Sequence, residues 1–317
     1  MTTKILVVTK TAGHFLDGLK HMGFDVHYEP EITAEELENC IKNYHAMIIR
    51  SKLRLTKEIL AKAEKLKFIG RLGSGLDVID LDFIRKNSID LISSPEGNAV
   101  SVAEHAVGTL LSLLHKINES SNEMHQIVFQ RTKNMGVEIL GKTIGIIGFG
   151  NTGSAFATRL QGFGVSILVH DKYKTHFAGS FPYVKETDLN ELLNESEVIS
   201  LHLPLNEETY HYVDEPFLER CKEGVIIVNT SRGQIIETRS LLKAIRTGRV
   251  KGACLDVFEN EDPGTYDEEE KQLYAELFNS ACIICTPHIA GLTIESEDKI
   301  AKVLLSKIAR YIINEQL

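Results

Sequence analysis

The sequence predicts an α/β protein made of two doubly wound parallel-sheet domains, and three observations carry that expectation. Short β-branched apolar runs alternate with amphipathic segments along almost the whole chain, the pattern of repeated strand–helix–strand units. A glycine-rich turn, Gly148-Phe149-Gly150-Asn151-Thr152-Gly153, sits between one such run and a helical pattern. Pro95-Glu96-Gly97-Asn98 then interrupts the alternation before a long helix, a hinge in a chain whose 317 residues suit two domains.

In the first part, strands are expected at 5–8, 26–28, 47–50, 68–70 and 91–92. Helices are expected between them, the clearest over 33–42 and 56–65, opened by Thr33 and Thr56 as caps. Gly73-Ser74-Gly75 follows the fourth strand. It is either a plain connection or a nest of backbone amides that holds a carboxylate, and the residues alone leave both open. After the hinge, Val102, Ala103, Ala106, Val107, Leu110 and Leu114 give the long helix a wide apolar face, suited to a core or a subunit interface. A polar stretch over 118–134 leads to the central unit.

That unit is the most informative stretch of the chain. A strand at 143–147 runs into the glycine turn, then a helix, then a second strand ending at Asp171, 18 residues past Gly153. Gly148 makes the turn, Gly150 lets the backbone approach a pyrophosphate, and Gly153 lets helix and strand pack closely. The first helical amides, from Asn151 and Thr152, face the phosphates. Asp171 is placed to accept both ribose hydroxyls and repel a 2′-phosphate, so the expected cofactor is NAD, a preference that Lys172 and Lys174 weaken slightly. This is the Rossmann fingerprint; the first domain is the smaller, flavodoxin-like one.

Further strands are expected at 198–203, 225–228, 253–257 and 282–285. Polar groups cluster just past their ends: Leu203-Pro204, Thr230-Ser231-Arg232, Asp256 and Thr286-Pro287-His288. In an open α/β sheet that edge is where ligands bind. Arg232 and His288 are candidates on that ground, beside the plain readings of a solvated or paired arginine and a structural histidine, and an acid from the stretch 259–270 could raise the pKa of His288. Cys282, Cys285 and His288 have metal-like spacing, but positions three apart on a strand face opposite ways, so no metal site is expected. An amphipathic helix over 297–317 closes the chain.

Composition excludes other classes. A net charge of −9 argues against a nucleic-acid surface, and no run of about 18 apolar residues exists to span a membrane. Five scattered cysteines fit reduced thiols, and the first eight residues read as a strand rather than a signal peptide, so a cytoplasmic location is expected.

Taken together, these motifs resemble the D-isomer-specific 2-hydroxyacid dehydrogenase family over nearly the whole chain. The resemblance rests on Gly73 to Asp77, on Glu96-Gly97-Asn98 leading to Val102-Ala103-Glu104, and on the Gly148 fingerprint with Asp171. It rests equally on Asn229 to Gly233, on Leu255 to Phe258 with Glu261, and on Pro287-His288. It implies a substrate domain of 1–96 plus 290–317, an NAD-binding domain of 97–289, and a homodimer formed largely through the nucleotide domains. It also implies Arg232, Glu261 and His288 as the catalytic set, with Glu259 and Asp262 as alternative acids because the segment between Glu261 and His288 is longer than the family usually has.

The resemblance places amides around Ser74 and Gly75 on the substrate carboxylate, Leu203 and Pro204 beside the adenosine, and Thr230, Ser231 and Asp256 near the nicotinamide. Within the family the likeness is strongest to the branch acting on 3-phosphoglycerate, through Arg50, Arg71 and the segment with Arg131. Hydroxypyruvate, glyoxylate or D-lactate are the alternative substrates, and an NAD(H)-sensing corepressor is the non-enzymatic alternative. Because the chain stops at Leu317, feedback through a C-terminal regulatory domain is not expected.

Overall fold

The computed structural model describes residues 3–177 and 179–315. They form two units, Met1–Ala99 with Leu292–Leu317, and Val100–Gly291.

The first unit holds a parallel sheet of β1 (Lys4–Val7), β2 (Asp25–Tyr28), β3 (Ala46–Ile49), β4 (Phe68–Arg71) and β5 (Asp90–Ser93), in the order β2-β1-β3-β4-β5. Side chains alternate across a strand, so Ile5 and Val7 face one layer while Leu6 and Val8 face the other. The helix Ile294–Glu315 covers the Ile5 side with Ile300, Leu304 and Ile308, each 3% exposed or less. Burying side chains of that size stabilises the unit by roughly 1.5–3 kcal/mol apiece. Thr33 caps its helix in a reciprocal capping box with Glu36, as the sequence suggests, but the helix expected over 56–65 shrinks to Lys57–Leu60.

The second unit is a seven-stranded parallel sheet: β6 (Thr143–Ile147), β7 (Ser166–His170), β8 (Lys185–Glu186), β9 (Val198–Leu201), β10 (Val225–Asn229), β11 (Val250–Leu255) and β12 (Ile283–Cys285). The order β12-β11-β10-β9-β6-β7-β8 reverses direction between β6 and β9. That reversal opens a crevice at the strand C-termini, where doubly wound sheets bind ligands. The helix Ala99–Leu114 buries Ala103, Ala106, Leu110 and Leu114 against Ile144, Ile146 and Cys254 of the sheet.

Two helices were not expected. Ile117–His125 lies in the polar stretch, and Glu268–Asn279 occupies the long segment after Glu261. The second is nucleated by Asp267, whose side chain takes the Glu270 amide while Glu270 reaches back to the Asp267 amide. Its Tyr274 and Leu277 are buried in the core. All five cysteines are free thiols.

Candidate active site

β10 and β11 end side by side, β10 in buried Asn229, which folds the loop that follows it, and β11 just before buried Asp256, which folds the loop after β12. Asn229, 0% exposed, accepts from the Ser231 amide and hydroxyl at 3.0 and 2.7 Å and donates to the Arg232 carbonyl at 2.8 Å. Asp256, 2% exposed, accepts from the amides of Ile289 at 2.9 Å and Ala290 at 2.8 Å, and from the Thr286 hydroxyl at 2.6 Å. Its own carbonyl accepts the His288 amide at 2.8 Å. These bonds hold His288 at φ +54°, a left-handed conformation that costs a non-glycine residue free energy.

Held in that conformation, His288 meets Glu261, with Nδ1 and Oε2 2.8 Å apart. The hydrogen bond to Glu261 raises the pKa of the imidazole, and it outweighs the opposing effects of burial and of the Arg232 charge. For Glu261, burial pushes the pKa up, but the His288 hydrogen bond and charge, the Phe258 amide and Arg232 bring the net shift downward. An ionised Glu261 thus fixes the proton of His288 on Nδ1 and leaves Nε2 as the nitrogen that can face a substrate.

The other acids point elsewhere. Glu259 is 2.6 Å from His211 Nε2 and accepts the Thr238 amide at 2.9 Å, while Asp262 accepts the Gly264 amide at 3.0 Å. Arg232 is half-buried, with Nη1 donating to the Ser231 carbonyl at 2.6 Å. Next to it, Gly233 lies so close to the Glu261 loop that a Cβ there would sit 1.8 Å from the Phe258 carbonyl carbon. Glycine at this position lets the Arg232 and Glu261 loops touch.

The glycine turn of β6 is just as close-packed. A Cβ on Gly148, at φ +92°, would meet the His202 carbonyl oxygen at 2.4 Å, and one on Gly153 would meet the Gly148 oxygen at 2.1 Å. A Cβ on Gly150 would meet nothing within 4 Å, so its open side is available to a ligand. The helix Asn151–Leu160 starts there with Gly150 as its cap and no side-chain capping bond, leaving its first amides for an anion. Leu203 is partly buried and Pro204 exposed beyond β9. The Thr230 hydroxyl is buried with no hydrogen-bond partner among the described residues, as expected of a group that awaits a polar ligand.

A model of the family described as "D-isomer specific 2-hydroxyacid dehydrogenase, NAD binding domain" matches residues 107–290. The chain belongs to this family. It is 32% identical to a D-3-phosphoglycerate dehydrogenase of Archaeoglobus fulgidus over 96% of its length, and it spans 56% of that relative. It is 36% identical to a hydroxypyruvate reductase of Thermotoga maritima, over 88% of this chain and 90% of the relative. Among solved structures, a D-lactate dehydrogenase from Aquifex aeolicus complexed with NAD and lactic acid superposes with a TM-score of 0.84 at 28% identity, covering 99% of this chain and 96% of that one. The open face at Gly150, the uncapped helix and the orphaned Thr230 hydroxyl fit the NAD that the family binds.

Some residues singled out by sequence carry local duties as well. Asp171 accepts from the Phe149 amide at 2.7 Å and from the Tyr173 and Lys174 amides at 2.9 and 3.0 Å. Burial opposes its ionisation, but these amides and Lys174 lower its pKa overall. A carboxylate accepts about four hydrogen bonds, so roughly one remains for a ribose hydroxyl. Asp256 is committed to the His288 loop and Ser231 to Asn229.

In the first unit, Arg71 is 8% exposed and donates to the Gly75 carbonyl at 2.9 Å and to that of Leu72, so it shapes the Gly73–Gly75 turn from beneath. Ser74 is exposed on that turn. Both terminal nitrogens of Arg50 bind the Glu297 carboxylate, Nη1 at 2.7 Å. Arg131 is exposed. Asn229 and Gly233 were missed as contributors to the local geometry, and His105, whose Nε2 is 3.0 Å from Thr286 Oγ1, was not singled out. Asn229 and Gly233 flank Arg232 within one motif, which was the available signal; His105 had none beyond its place beside Glu104.

Proposed function

We propose that this chain is an NAD-dependent D-2-hydroxyacid dehydrogenase in which His288, Glu261 and Arg232 act on the substrate. The observation that carries this reading is the His288–Glu261 pair at 2.8 Å, held past the C-terminal ends of the neighbouring strands β11 and β12, on the same edge of the parallel sheet as the glycine turn after β6. Bound NAD(H) supplies or accepts the hydride at substrate C2. In reduction, His288 holds the proton at Nε2 and gives it to the carbonyl oxygen as that oxygen gains charge; in oxidation it takes the same proton from the hydroxyl. Glu261 stabilises the imidazolium, and Arg232 offers a fixed cation to the substrate carboxylate and oxygen. The amides of Ser74 and Gly75 serve the carboxylate, with Arg71 holding their turn. Asp171 reads the ribose, Asn151 and Thr152 the pyrophosphate, Leu203 and Pro204 the adenosine side, and the Thr230 hydroxyl the amide.

For the substrate, 3-phosphoglycerate and its 2-oxo partner 3-phosphohydroxypyruvate are the proposal, supported by the phosphoglycerate dehydrogenase relatives and by Arg50 and Arg131. A second reading, unphosphorylated hydroxypyruvate, is favoured by the pairing of Arg50 with Glu297, which a phosphate would have to displace. The test is KM for phosphohydroxypyruvate and hydroxypyruvate in the wild type, Arg50→Ala and Arg131→Ala. A tenfold to hundredfold rise confined to the phosphorylated substrate supports the phosphate site, since a charge-assisted bond contributes about 1.5–3 kcal/mol. Equal effects on both substrates favour the second reading.

A homodimer is proposed through the second unit, supported by a run of exposed apolar side chains after the helix Ile117–His125: Ile127 is 93%, Phe129 75% and Met135 73% exposed. Light scattering on the purified protein reads its mass.

A further inference from the structure

We infer that His105 is a positioning residue for the acid–base histidine, acting through Thr286 and Asp256; this rests on His288 being the acid–base group. His105 lies inside the helix Ala99–Leu114 and on none of the loops that carry Arg232, Glu261 and His288, and its side chain is 19% exposed. Its Nε2 is 3.0 Å from Thr286 Oγ1 and 3.6 Å from Asp256 Oδ1. The single Thr286 hydroxyl proton is donated to Asp256 at 2.6 Å, so Thr286 can only accept from His105, and the His105 proton must reside on Nε2.

The chain of donors runs one way, from His105 to Thr286 to Asp256. Asp256 in turn collects the Ile289 and Ala290 amides on its carboxylate and the His288 amide on its carbonyl. Asp256 is 2% exposed, so each of its hydrogen bonds forms in a medium that screens little. Thr286 is also the residue whose carbonyl accepts the His288 amide at 3.0 Å. A rotation of the Thr286 side chain would break its hydrogen bond to Asp256, one of the bonds that fix the carboxylate and with it the turn that keeps His288 in its left-handed conformation. The His105 N–H blocks that rotation by occupying the hydroxyl's acceptor side. The helix supplies the rigidity: Thr109 donates its own hydroxyl back to the His105 carbonyl at 2.9 Å, and Ala103 and Ala106 on either side of His105 are fully buried.

The test uses the full chain and four variants. His105→Gln keeps an N–H donor of similar reach, His105→Leu keeps the volume without it, Thr286→Val removes the bridge, and the fourth carries both of the last two changes. Wild type and His288→Ala are assayed first, so a failure of the acid–base assignment is seen separately. If His105 positions His288, His105→Leu lowers kcat by about tenfold, the worth of one buried hydrogen bond, at unchanged NADH affinity measured by fluorescence titration. His105→Gln then recovers most of that loss, and the double variant is no worse than the poorer single one.

Histidine-specific 15N NMR on the protein without cofactor reads the tautomer directly. A protonated Nε2 assigned to His105 is expected in the wild type, and that state is expected to shift in Thr286→Val. Wild-type kcat in His105→Leu, no recovery in His105→Gln, additive losses, or a proton on Nδ1 would each overturn the inference. If His105→Leu does not fold, the Thr286→Val kinetics and the NMR tautomer decide.

Discussion

The backbone amide of Asp256 donates to the carbonyl of Asn229 at 3.0 Å, which locks together the two strand ends from which the Arg232 and Glu261 loops depart. Each residue is buried; Asn229 spends its side chain on the loop that follows it, and Asp256 spends its own on the loop after β12 that carries His288. The positions of Arg232 and His288 are thus set by a parallel-sheet register, Asn229 beside Leu255, rather than by loop sequence alone.

Removing one of these anchors should cost both stability and activity. Asn229→Leu loses three hydrogen bonds and leaves buried partners unsatisfied, for an expected loss of about 2–4 kcal/mol in urea unfolding. A loss below about 1 kcal/mol would show that the Ser231–Arg232 loop holds itself.

Gly233→Ala places a methyl group where the Phe258 carbonyl now lies, so the Arg232 and Glu261 loops must separate. A shift near 1 Å in catalytic geometry costs about 100-fold, and kcat/KM should fall at least that far. Activity close to wild type would mean that the two loops need not touch.

The pH dependence follows from the His288–Glu261 pair. The pKa of His288 is raised, so the imidazolium needed for reduction persists above the ordinary histidine range and is lost as pH rises through the raised value. Glu261→Gln removes the charge and its hydrogen-bonded anion, so the fall in kcat/KM for a 2-oxoacid should move to lower pH. An unmoved profile assigns that limb to another group.

Asp171→Ala should weaken NADH more than NADPH, because only NADH loses a ribose contact while NADPH also loses a repulsion. It should also lower stability, since the Phe149, Tyr173 and Lys174 amides lose their acceptor. Parallel KM values for the two cofactors in the variant and the wild type check the first point. Equal weakening of both would remove Asp171 from cofactor choice.

A buried histidine gives a further sign. His202, buried just past the end of β9 and 2.9 Å from the Ser200 hydroxyl, has its pKa pushed down to about 4 by burial. The unfolded chain therefore takes up this proton from about pH 6.5 downward while the folded chain does not, so the stability it contributes is lost as pH falls toward 4. Between pH 6.5 and 5 the wild type should lose up to about 2 kcal/mol more than His202→Asn in urea unfolding. Equal losses in the two proteins would contradict this.

Much of this was legible in the sequence because parallel strands buried on both faces leave continuous apolar runs, and because tight turns demand glycine. The fingerprint strand Thr143–Ile147 and the turn after it are of that kind. The polar anchors were harder to read. Asn229 and Asp256 matter because of what a neighbouring strand brings to them, which spacing does not encode. Arg71 reads as a ligand-facing arginine, yet the chain turns it under its own loop. The helix Glu268–Asn279 had a local signal, Asp267 and Glu270 in a capping box, that its acidic composition obscured. Arg50 was placed at the right sheet edge, but its partner Glu297 is 247 residues away and beyond any local pattern.

The most direct measurement is NADH oxidation by hydroxypyruvate and 3-phosphohydroxypyruvate in the wild type and His288→Ala, with NADH affinity measured alongside. As the acid–base group, His288 predicts turnover in the wild type and a fall in kcat of about 100-fold or more in the variant, at unchanged NADH affinity. Absence of turnover with any 2-oxoacid in the wild type, or an undiminished kcat in His288→Ala, would contradict it.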